Sequence, residues 1–181
     1  VLEEKGLITV KTGVSGGAVV STVPGRKVTE SLGLLIRTQR VSMRDIAEFR
    51  QGVEDDVAAL AALRATREDG AKLKALLEKA EVYVRTGVTA WADFIAVDEE
   101  IHTCLGEIAG NRLYQLVLSS VHENITRYYN RLLHPTEERM RENLEDLKAV
   151  VEAVLRKDAR TAGERLRDHV RRFSTYMEEN R

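Results

Sequence analysis

The chain has 181 residues, of which 43% are hydrophobic and 31% are charged, and its formal net charge is −1. This composition excludes a wholly disordered chain and is sufficient for a hydrophobic core. The only cysteine, Cys104, excludes an intrachain disulfide framework and a four-cysteine zinc site. The sequence contains no apolar run of about 18 residues and does not start like a secretory signal, so we expect a cytoplasmic protein with no membrane partner.

Charge is distributed unevenly along the chain. Residues 1–42 carry six basic and three acidic side chains, a net charge of +3, whereas the rest of the chain carries −4. Six of the twelve glycines also lie in residues 1–42. The whole-chain charge does not favour nucleic-acid binding, but this basic N-terminal part taken alone does.

The N-terminal part is predicted to contain a β-hairpin. Two short runs rich in β-branched residues, 7–11 and 18–21, flank a Gly-Gly pair. Residues 2–6 are typical of the last turn of a helix. Because an isolated hairpin is marginally stable in water, we expect residues 1–22 to be the end of a domain whose earlier part is missing from this sequence. Residues 23–28 are predicted to be a linker.

The body of the chain, residues 29–181, is predicted to consist of helices. Between residues 43 and 66 the apolar positions recur in steps of three and four, as on one buried helical face. The predicted helices are residues 29–38, 43–66, 68–86, 90–109, 112–133, 136–157 and 159–178. The predicted N-caps are Asn111 and Asp158, and the predicted glycine stops are Gly87 and Gly110. Because short links favour antiparallel neighbours, the predicted fold class is all-α: an antiparallel bundle of six or seven helices after the short hairpin.

Asp98 and His102 lie in the middle of the apolar half of the predicted helix 90–109. Their i,i+4 spacing places a carboxylate oxygen and an imidazole nitrogen on one side of the helix, within reach of one metal ion. A buried carboxylate is unfavourable unless it is paired or bound to a metal. The pair is therefore either two metal ligands or an Asp–His hydrogen bond in the core, and the spacing leaves both alternatives open.

His169 lies in the apolar arc of the last predicted helix. A single inward histidine is commonly a core residue with a hydrogen-bond partner. Together with Asp98 and His102, however, it could complete three nitrogen and oxygen ligands, with positions open for water or a small anion. The other histidines, His122 at the edge of its apolar stripe and His134 near a helix end, are predicted to be surface residues.

Arg50 lies near the border of the apolar face of the predicted helix 43–66. With Glu54 one turn later, it is either a snorkelling arginine with a local ion pair or a two-pronged donor for the carboxylate of a ligand. Arg64 falls on the same side and is a weaker candidate because it is close to the helix end. Cys104 is predicted to be inert packing. The sequence contains no Walker loop, GxSxG motif or HExxH motif.

Four segments in this order carry a family resemblance: LEEKGLITVKTGVSGGAVV, RDIAEFRQGVEDDVAALAALRAT, DEEIHTCLGEIAGNRLYQLV and LKAVVEAVLRKDARTAGERLRDHV. Together they resemble GntR-type bacterial transcription regulators of the FadR subfamily, from the wing of the winged helix-turn-helix through the C-terminal ligand-binding (FCD) domain. The resemblance covers nearly the whole chain. It implies a dimerising helical bundle, a DNA operator contacted through the mostly missing N-terminal domain, and a wing in which Lys11 contacts DNA.

The resemblance also implies a metal site. Asp98 and His102 match the family's first two metal ligands, and His169 matches the last. The remaining family ligand, a histidine 22 residues before the last one, corresponds to Leu147 here. Asn143, one turn before Leu147, is a substitute ligand. The implied ion is divalent, with zinc first and nickel or manganese as alternatives, and a metal-free pocket is the other alternative.

These observations lead to three hypotheses. The first is the effector-binding and dimerisation part of a transcription regulator, not an enzyme, which senses a small carboxylate through Arg50 and a divalent ion. The second is a metal-free regulator of the same family with an apolar pocket for an acyl-type ligand, which Leu147 favours. The third is a non-haem metalloenzyme, because two histidines and one carboxylate also describe non-haem iron sites.

Overall fold

The computed structural model describes residue 3 and residues 8–13, 16–20 and 25–178. Strands β1 (Ile8–Lys11) and β2 (Gly17–Val20) pair antiparallel, which confirms the predicted hairpin. A carboxylate oxygen of Glu3 accepts a hydrogen bond from the backbone N–H of Val10 at 3.2 Å. Apart from Glu3, the predicted helix tail at 2–6 lies outside the described residues.

Within residues 25–178 the chain forms seven α-helices, so the predicted all-α fold class is confirmed. The helices are α1 (Gly25–Arg37), α2 (Met43–Arg64), α3 (Arg67–Thr86), α4 (Trp91–Ala109), α5 (Arg112–Leu132), α6 (Glu137–Leu155) and α7 (Ala159–Glu178), with a 3-10 turn at Val88–Ala90 before α4. No helix in this part of the chain is long and apolar enough to cross a membrane.

Helix α1 begins at Gly25, four residues before its predicted start, so residues 25–28 are helical and the prediction of a linker there is wrong. Packing against α5 explains the difference. A Cβ on Gly25 would come within 2.8 Å of the Leu116 side chain, and one turn later the Thr29 hydroxyl donates a hydrogen bond to Ser120 Oγ at 3.1 Å. This close tertiary contact outweighs the low helix propensity of glycine. Predicted linker residues 23–24 lie outside the described residues.

The helix boundaries are set by local capping. Helix α2 ends at Arg64, two residues before the prediction, because Thr66 is the N-cap of α3. Its hydroxyl accepts a hydrogen bond from the N–H of Asp69 at 3.2 Å, and the Asp69 carboxylate accepts one from the N–H of Thr66 at 2.8 Å. Gly110 ends α4 with a left-handed φ of 66°, as predicted for a glycine stop.

The other predicted caps also form. Asn111 caps α5 by accepting a hydrogen bond from the N–H of Leu113 at 3.0 Å. Asp158 caps α7 through the N–H of Thr161 at 3.1 Å. Gly87 follows α3 with a positive φ of 88°.

The core lies where α2 packs between α7 and α4. Alanines on α2 let the helices approach closely, and a Cβ on Gly163 of α7 would collide with Asp55 of α2. Fully burying a Leu, Ile or Phe side chain contributes roughly 1.5–3 kcal/mol. The fully buried large side chains are Leu73, Phe94, Ile101, Leu105, Ile125, Met140, Leu147 and Leu166. These apolar contacts hold the helices that carry the polar side chains described next.

Candidate metal and effector site

Among the described residues, six ionisable side chains are buried together inside the bundle, each at most 8% exposed. Buried polar groups of native proteins nearly always have partners, so a cluster of this kind either pairs with itself or binds a ligand. Its members are Arg50 and Glu54 on α2, Asp98 and His102 on α4, His122 on α5 and His169 on α7.

Three of these residues, Asp98, His102 and His169, form what we call the Asp98 group. The Nε2 atoms of His102 and His169 lie 3.2 Å apart. One oxygen of Asp98 lies 3.3 Å from His169 Nε2, and the other lies 3.8 Å from His102 Nε2. The structure therefore brings together three residues that the sequence placed on inward faces of two separate helices.

The Asp98 group fits a divalent ion. Zinc–nitrogen and zinc–carboxylate bonds of about 2.0–2.2 Å place tetrahedral ligand atoms roughly 3.3–3.6 Å apart, close to the observed separations. Two imidazoles and one carboxylate are a typical donor set for zinc and related ions. In addition, the buried Oδ1 of Asp98 accepts no hydrogen bond of normal geometry from the described residues. The group thus has the spacing that an ion would use, and the nearest cationic neighbour of Asp98 Oδ1 is His169 Nε2 at 3.3 Å.

The second set of three residues, Glu54, His102 and His122, shares His102 with the first, and we call it the Glu54 group. Its ligand atoms also lie within 4.8 Å of one another. Here, however, the carboxylate is already satisfied. Glu54 accepts hydrogen bonds from Arg50 Nε at 2.5 Å, from His122 Nε2 at 3.4 Å and from His102 Nδ1. Burial opposes ionisation of Glu54, but the charge of Arg50 and the hydrogen bonds from the two histidines hold its pKa well below the usual range.

Glu54 also orients His102. Because the Nδ1–H of His102 points at Glu54, the neutral ring carries its lone pair on Nε2, the atom that faces Asp98 and His169. A carboxylate behind a ligating histidine fixes both the tautomer and the ring orientation, and it increases the basicity of the ligand nitrogen. The Glu54 group is therefore suited to support the Asp98 group rather than to bind an ion itself.

A second carboxylate lies behind His169. Asp146 of α6 has an oxygen 3.8 Å from His169 Nδ1 and 3.0 Å from Arg172 Nε. Burial alone would lower the pKa of His169, but Asp146 and Asp98 outweigh burial and raise it to about 9. Burial opposes ionisation of Asp98. Its interactions with His169, His102 and Arg50 nevertheless hold the pKa of this carboxyl below the usual value. Without an ion, the group therefore holds a proton on His169.

The prediction that His122 is a surface residue is wrong. It is 5% exposed, because the edge of the α5 stripe faces α2 and α4 rather than solvent. Burial lowers the pKa of His122 more strongly than Glu54 raises it. The sequence signal for the burial of His122 was its place at the border of an apolar stripe. Periodicity alone does not show which neighbouring helix covers that border. His134 is exposed, as predicted.

Three other residues singled out in the sequence are Arg50, Arg64 and Cys104. Arg50 is 5% exposed, so it does not snorkel to solvent, and its ion pair with Glu54 is buried. Arg64 is not part of the cluster: it donates a hydrogen bond to the carbonyl of Ala109 at the end of α4. Cys104 is buried, and burial raises the pKa of its thiol.

Helix α6 carries Leu147, at the position where the resemblance implies the remaining metal ligand, and Asn143, the candidate substitute. Leu147 is fully buried in the core and supplies no ligand atom. Asn143 is 4% exposed, and its Oδ1 accepts no hydrogen bond from the described residues. Lys11 lies at the exposed end of β1, distant in sequence from the cluster.

Two cavities adjoin the ionisable cluster. A small one of about 10 Å³, the size needed for a single water or ion, is lined by Arg50, Asp98, Glu99, His102 and His122. A larger one of about 340 Å³ lies between α4 and α5, and His102 and His122 also line it. These two histidines therefore line both the small cavity beside Asp98 and a space of ligand size.

Known proteins are similar to this chain over most of its length. The family model of the FCD domain matches residues 45–172. The fold is similar to that of GntR from Streptococcus agalactiae, with a TM-score of 0.71 and 20% identity over 96% of this chain and 77% of that one. It is also similar to E. coli McbR/YncC, with a TM-score of 0.64 and 17% identity over 99% of this chain and 81% of that one. No curated protein sequence matches significantly.

Proposed function

The chain belongs to the FCD domain family, and from that premise we propose that it is the effector-binding and dimerisation part of a GntR-type transcription regulator of the FadR subfamily. Its effector is a small carboxylate, sensed through a divalent ion in the Asp98 group. The observation that carries this proposal is the buried set of two imidazoles and one carboxylate whose ligand atoms all lie within 4.8 Å of one another. The similarity of the fold to two proteins named as GntR and McbR supports the choice of regulator over enzyme.

Asp98, His102 and His169 would hold the ion, with zinc first and nickel or manganese as alternatives. When bound, such an ion supplies open coordination positions for a carboxylate. Asn143 is the candidate fourth ligand, because its buried oxygen has no partner among the described residues. Glu54 and Asp146 orient the two histidines from behind. This supporting set matches the outer-shell carboxylates that commonly accompany metal-bound histidines.

The charge of the site explains why the effector would be an anion. The buried charged side chains of the cluster, apart from the histidines, are Arg50, Glu54 and Asp98, with a net charge of −1. A proton on His169 balances this charge when no metal is present. A divalent ion bound to neutral His169 instead leaves one surplus positive charge, which a carboxylate would neutralise. Arg50, which lines the small cavity, would contribute a guanidinium N–H while its Nε stays paired with Glu54.

The metal-free regulator with an acyl-type ligand is the second candidate, and one observation favours it. Leu147 stands where the family resemblance implies a fourth ligand, and it is a fully buried apolar side chain that supplies no ligand atom. The proton on His169 would then neutralise the cluster at pH values below about 9. This candidate differs from the first in a measurable way, because it predicts no bound metal.

Regulation would follow from the effector's preference for one arrangement of the dimer. An effector shifts an equilibrium only through different affinities for its states. In this proposal the cytoplasmic homodimer binds a DNA operator through its N-terminal domains, and Lys11 on the hairpin wing contacts the DNA. A lysine at this place would act as a phosphate contact that strengthens binding without reading sequence.

The decisive experiment measures metal and acid binding together. Protein purified without chelators or a nickel column is analysed for metal content, and its melting temperature is measured with organic acids and acyl-CoAs, with and without EDTA. We expect about one divalent ion per chain and stabilisation by acids only when metal is present. Asp98→Asn should abolish both effects.

The matched control is Asp93→Asn, an exposed aspartate on the same helix, which should behave like the wild type. Unchanged metal content and acid binding in Asp98→Asn would show that the site is wrongly assigned. Stabilisation of metal-free protein by acyl-CoA would select the second candidate.

A further inference from the structure

The larger cavity, between α4 and α5, opens beside the ionisable cluster. Its inner end is formed by His102 and His122, and its outer end by Glu107 and Arg112. We call it the α4/α5 cavity. Its volume of about 340 Å³ is near the lower limit for small-molecule pockets, which range from roughly 300 to 1,000 Å³. It therefore suits a short molecule rather than a complete acyl-CoA.

Two polar side chains along this cavity already donate hydrogen bonds to backbone carbonyls. The Gln115 amide donates a hydrogen bond to the carbonyl of Gly106 at 3.1 Å. The Ser119 hydroxyl donates one to the carbonyl of Leu116 at 3.0 Å. Leu116 and Leu118 add apolar surface. The middle of the cavity is thus better suited to methylene groups than to a charged part of a ligand.

Arg112 at the outer end has no such commitment. No ion pair or hydrogen bond joins its guanidinium to the described residues, whereas Glu107 beside it is paired with Lys72 at 2.7 Å. Arg112 is also the first residue of α5, where a cation is unfavourable because the helix N-terminus carries partial positive charge. Arg112 is exposed, helix stability does not favour a cation at this position, and its planar donors suit a carboxylate or phosphate.

From this arrangement we propose that the effector carries a second anionic group at its far end, bound by Arg112, so that it is a short linear diacid. The inference rests on the proposed function, which places the first carboxylate beside His102. Arg112 and His122 are ten residues apart on α5, about 15 Å between their Cα atoms. Both residues line the cavity, so a ligand that contacts both is shorter than this separation. The second anion is a carboxylate or a phosphate, since both fit a guanidinium.

The test compares matched ligands on the metal-loaded protein by calorimetry. The dicarboxylates glutarate, adipate and pimelate are paired with the monocarboxylates of equal chain length, and an ω-phosphonocarboxylate represents the phosphate alternative. We expect the wild type to bind the best diacid about tenfold more tightly than its monoacid, as one charge-assisted pair allows. Arg112→Gln should remove this preference while still binding monoacids. Arg160→Gln, an exposed arginine on α7, should retain it.

The outcomes separate this inference from the function on which it rests. Tighter binding of the phosphonate than of any dicarboxylate, again lost in Arg112→Gln, supports the inference and assigns the second anion to a phosphate. Equal binding of diacids and monoacids by the wild type overturns the inference and leaves the proposed function intact. Binding of no acid to metal-loaded protein overturns both.

Discussion

The Asp98 group and the Glu54 group have nearly the same composition, share His102, and differ in what already satisfies their carboxylates. Glu54 accepts hydrogen bonds from Arg50, His102 and His122, so its oxygens are already engaged by donors. Asp98 has an oxygen without a normal hydrogen bond and faces two histidine Nε2 atoms. Two histidines and a carboxylate are therefore not sufficient for a metal site. The supply of competing donors and the local charge decide which group can hold an ion.

The largest effect is expected from Glu54→Gln, because it removes the buried carboxylate that pairs with Arg50 Nε. Breaking one partner of a buried ion pair typically destabilises a protein by about 3–5 kcal/mol. Urea denaturation of the metal-free protein measures the change. Glu48→Gln, an exposed residue paired with Arg44 on the same helix, is the control and should change stability by less than about 1 kcal/mol.

A double variant sharpens this result. Replacing Arg50 and Glu54 together by leucine removes both charges and should recover much of the lost stability, because a buried ion pair is often no better than apolar packing. If Glu54→Gln alone is as stable as the wild type, the Glu54 group does not hold a buried charge pair.

The next largest effect on the free energy of unfolding is expected in the Asp98 group, and it depends on pH. In metal-free protein the pKa of His169 is about 9, against an ordinary value of 6.5. A raised pKa stabilises the fold fully below the ordinary value and progressively less as pH rises through the folded value. The wild type should thus lose about 3 kcal/mol of unfolding free energy between pH 6 and pH 9.5 relative to His169→Gln.

This measurement is made in EDTA by urea denaturation at each pH. His134→Gln, which changes an exposed histidine, should follow the wild-type curve. Wild-type and His169→Gln curves that stay parallel over the range would mean that the proton is not held in the Asp98 group. Because the same proton must leave when metal binds, zinc affinity should increase with pH up to about 9.

The smallest effect is expected from His122→Leu. Glu54 keeps its contacts with Arg50 and His102 in this variant, so only one long hydrogen bond of 3.4 Å is lost. A net loss of about 1 kcal/mol follows for a typical hydrogen bond. Zinc affinity measured by competition titration should be unchanged. A large loss of zinc affinity would instead place the ion at the Glu54 group.

Much of the fold was predictable because its signals are local. Helical periodicity predicted all seven helices, and side chains such as Asn111 and Asp158 indicated where helices begin. The errors lie where tertiary contacts decide. Helix α1 starts at Gly25 because that glycine packs against Leu116, a residue far away in the sequence.

The candidate site was predictable only in part, for the same physical reason. Asp98, His102 and His169 could be recognised because each is polar on an apolar face of its own helix. The contact between Glu54 and His102, which are 48 residues apart, depends on which helices pack together. The burial of His122, the position of Asp146 behind His169 and the α4/α5 cavity also depend on which helices pack together. Periodicity within one helix contains no information about its neighbours.

Anomalous diffraction at the zinc absorption edge, from crystals of the zinc-loaded protein, would locate the ion. We expect one strong peak bounded by Asp98, His102 Nε2 and His169 Nε2. A peak between Glu54 and His122, or no peak in the bundle at saturating zinc, would contradict this expectation.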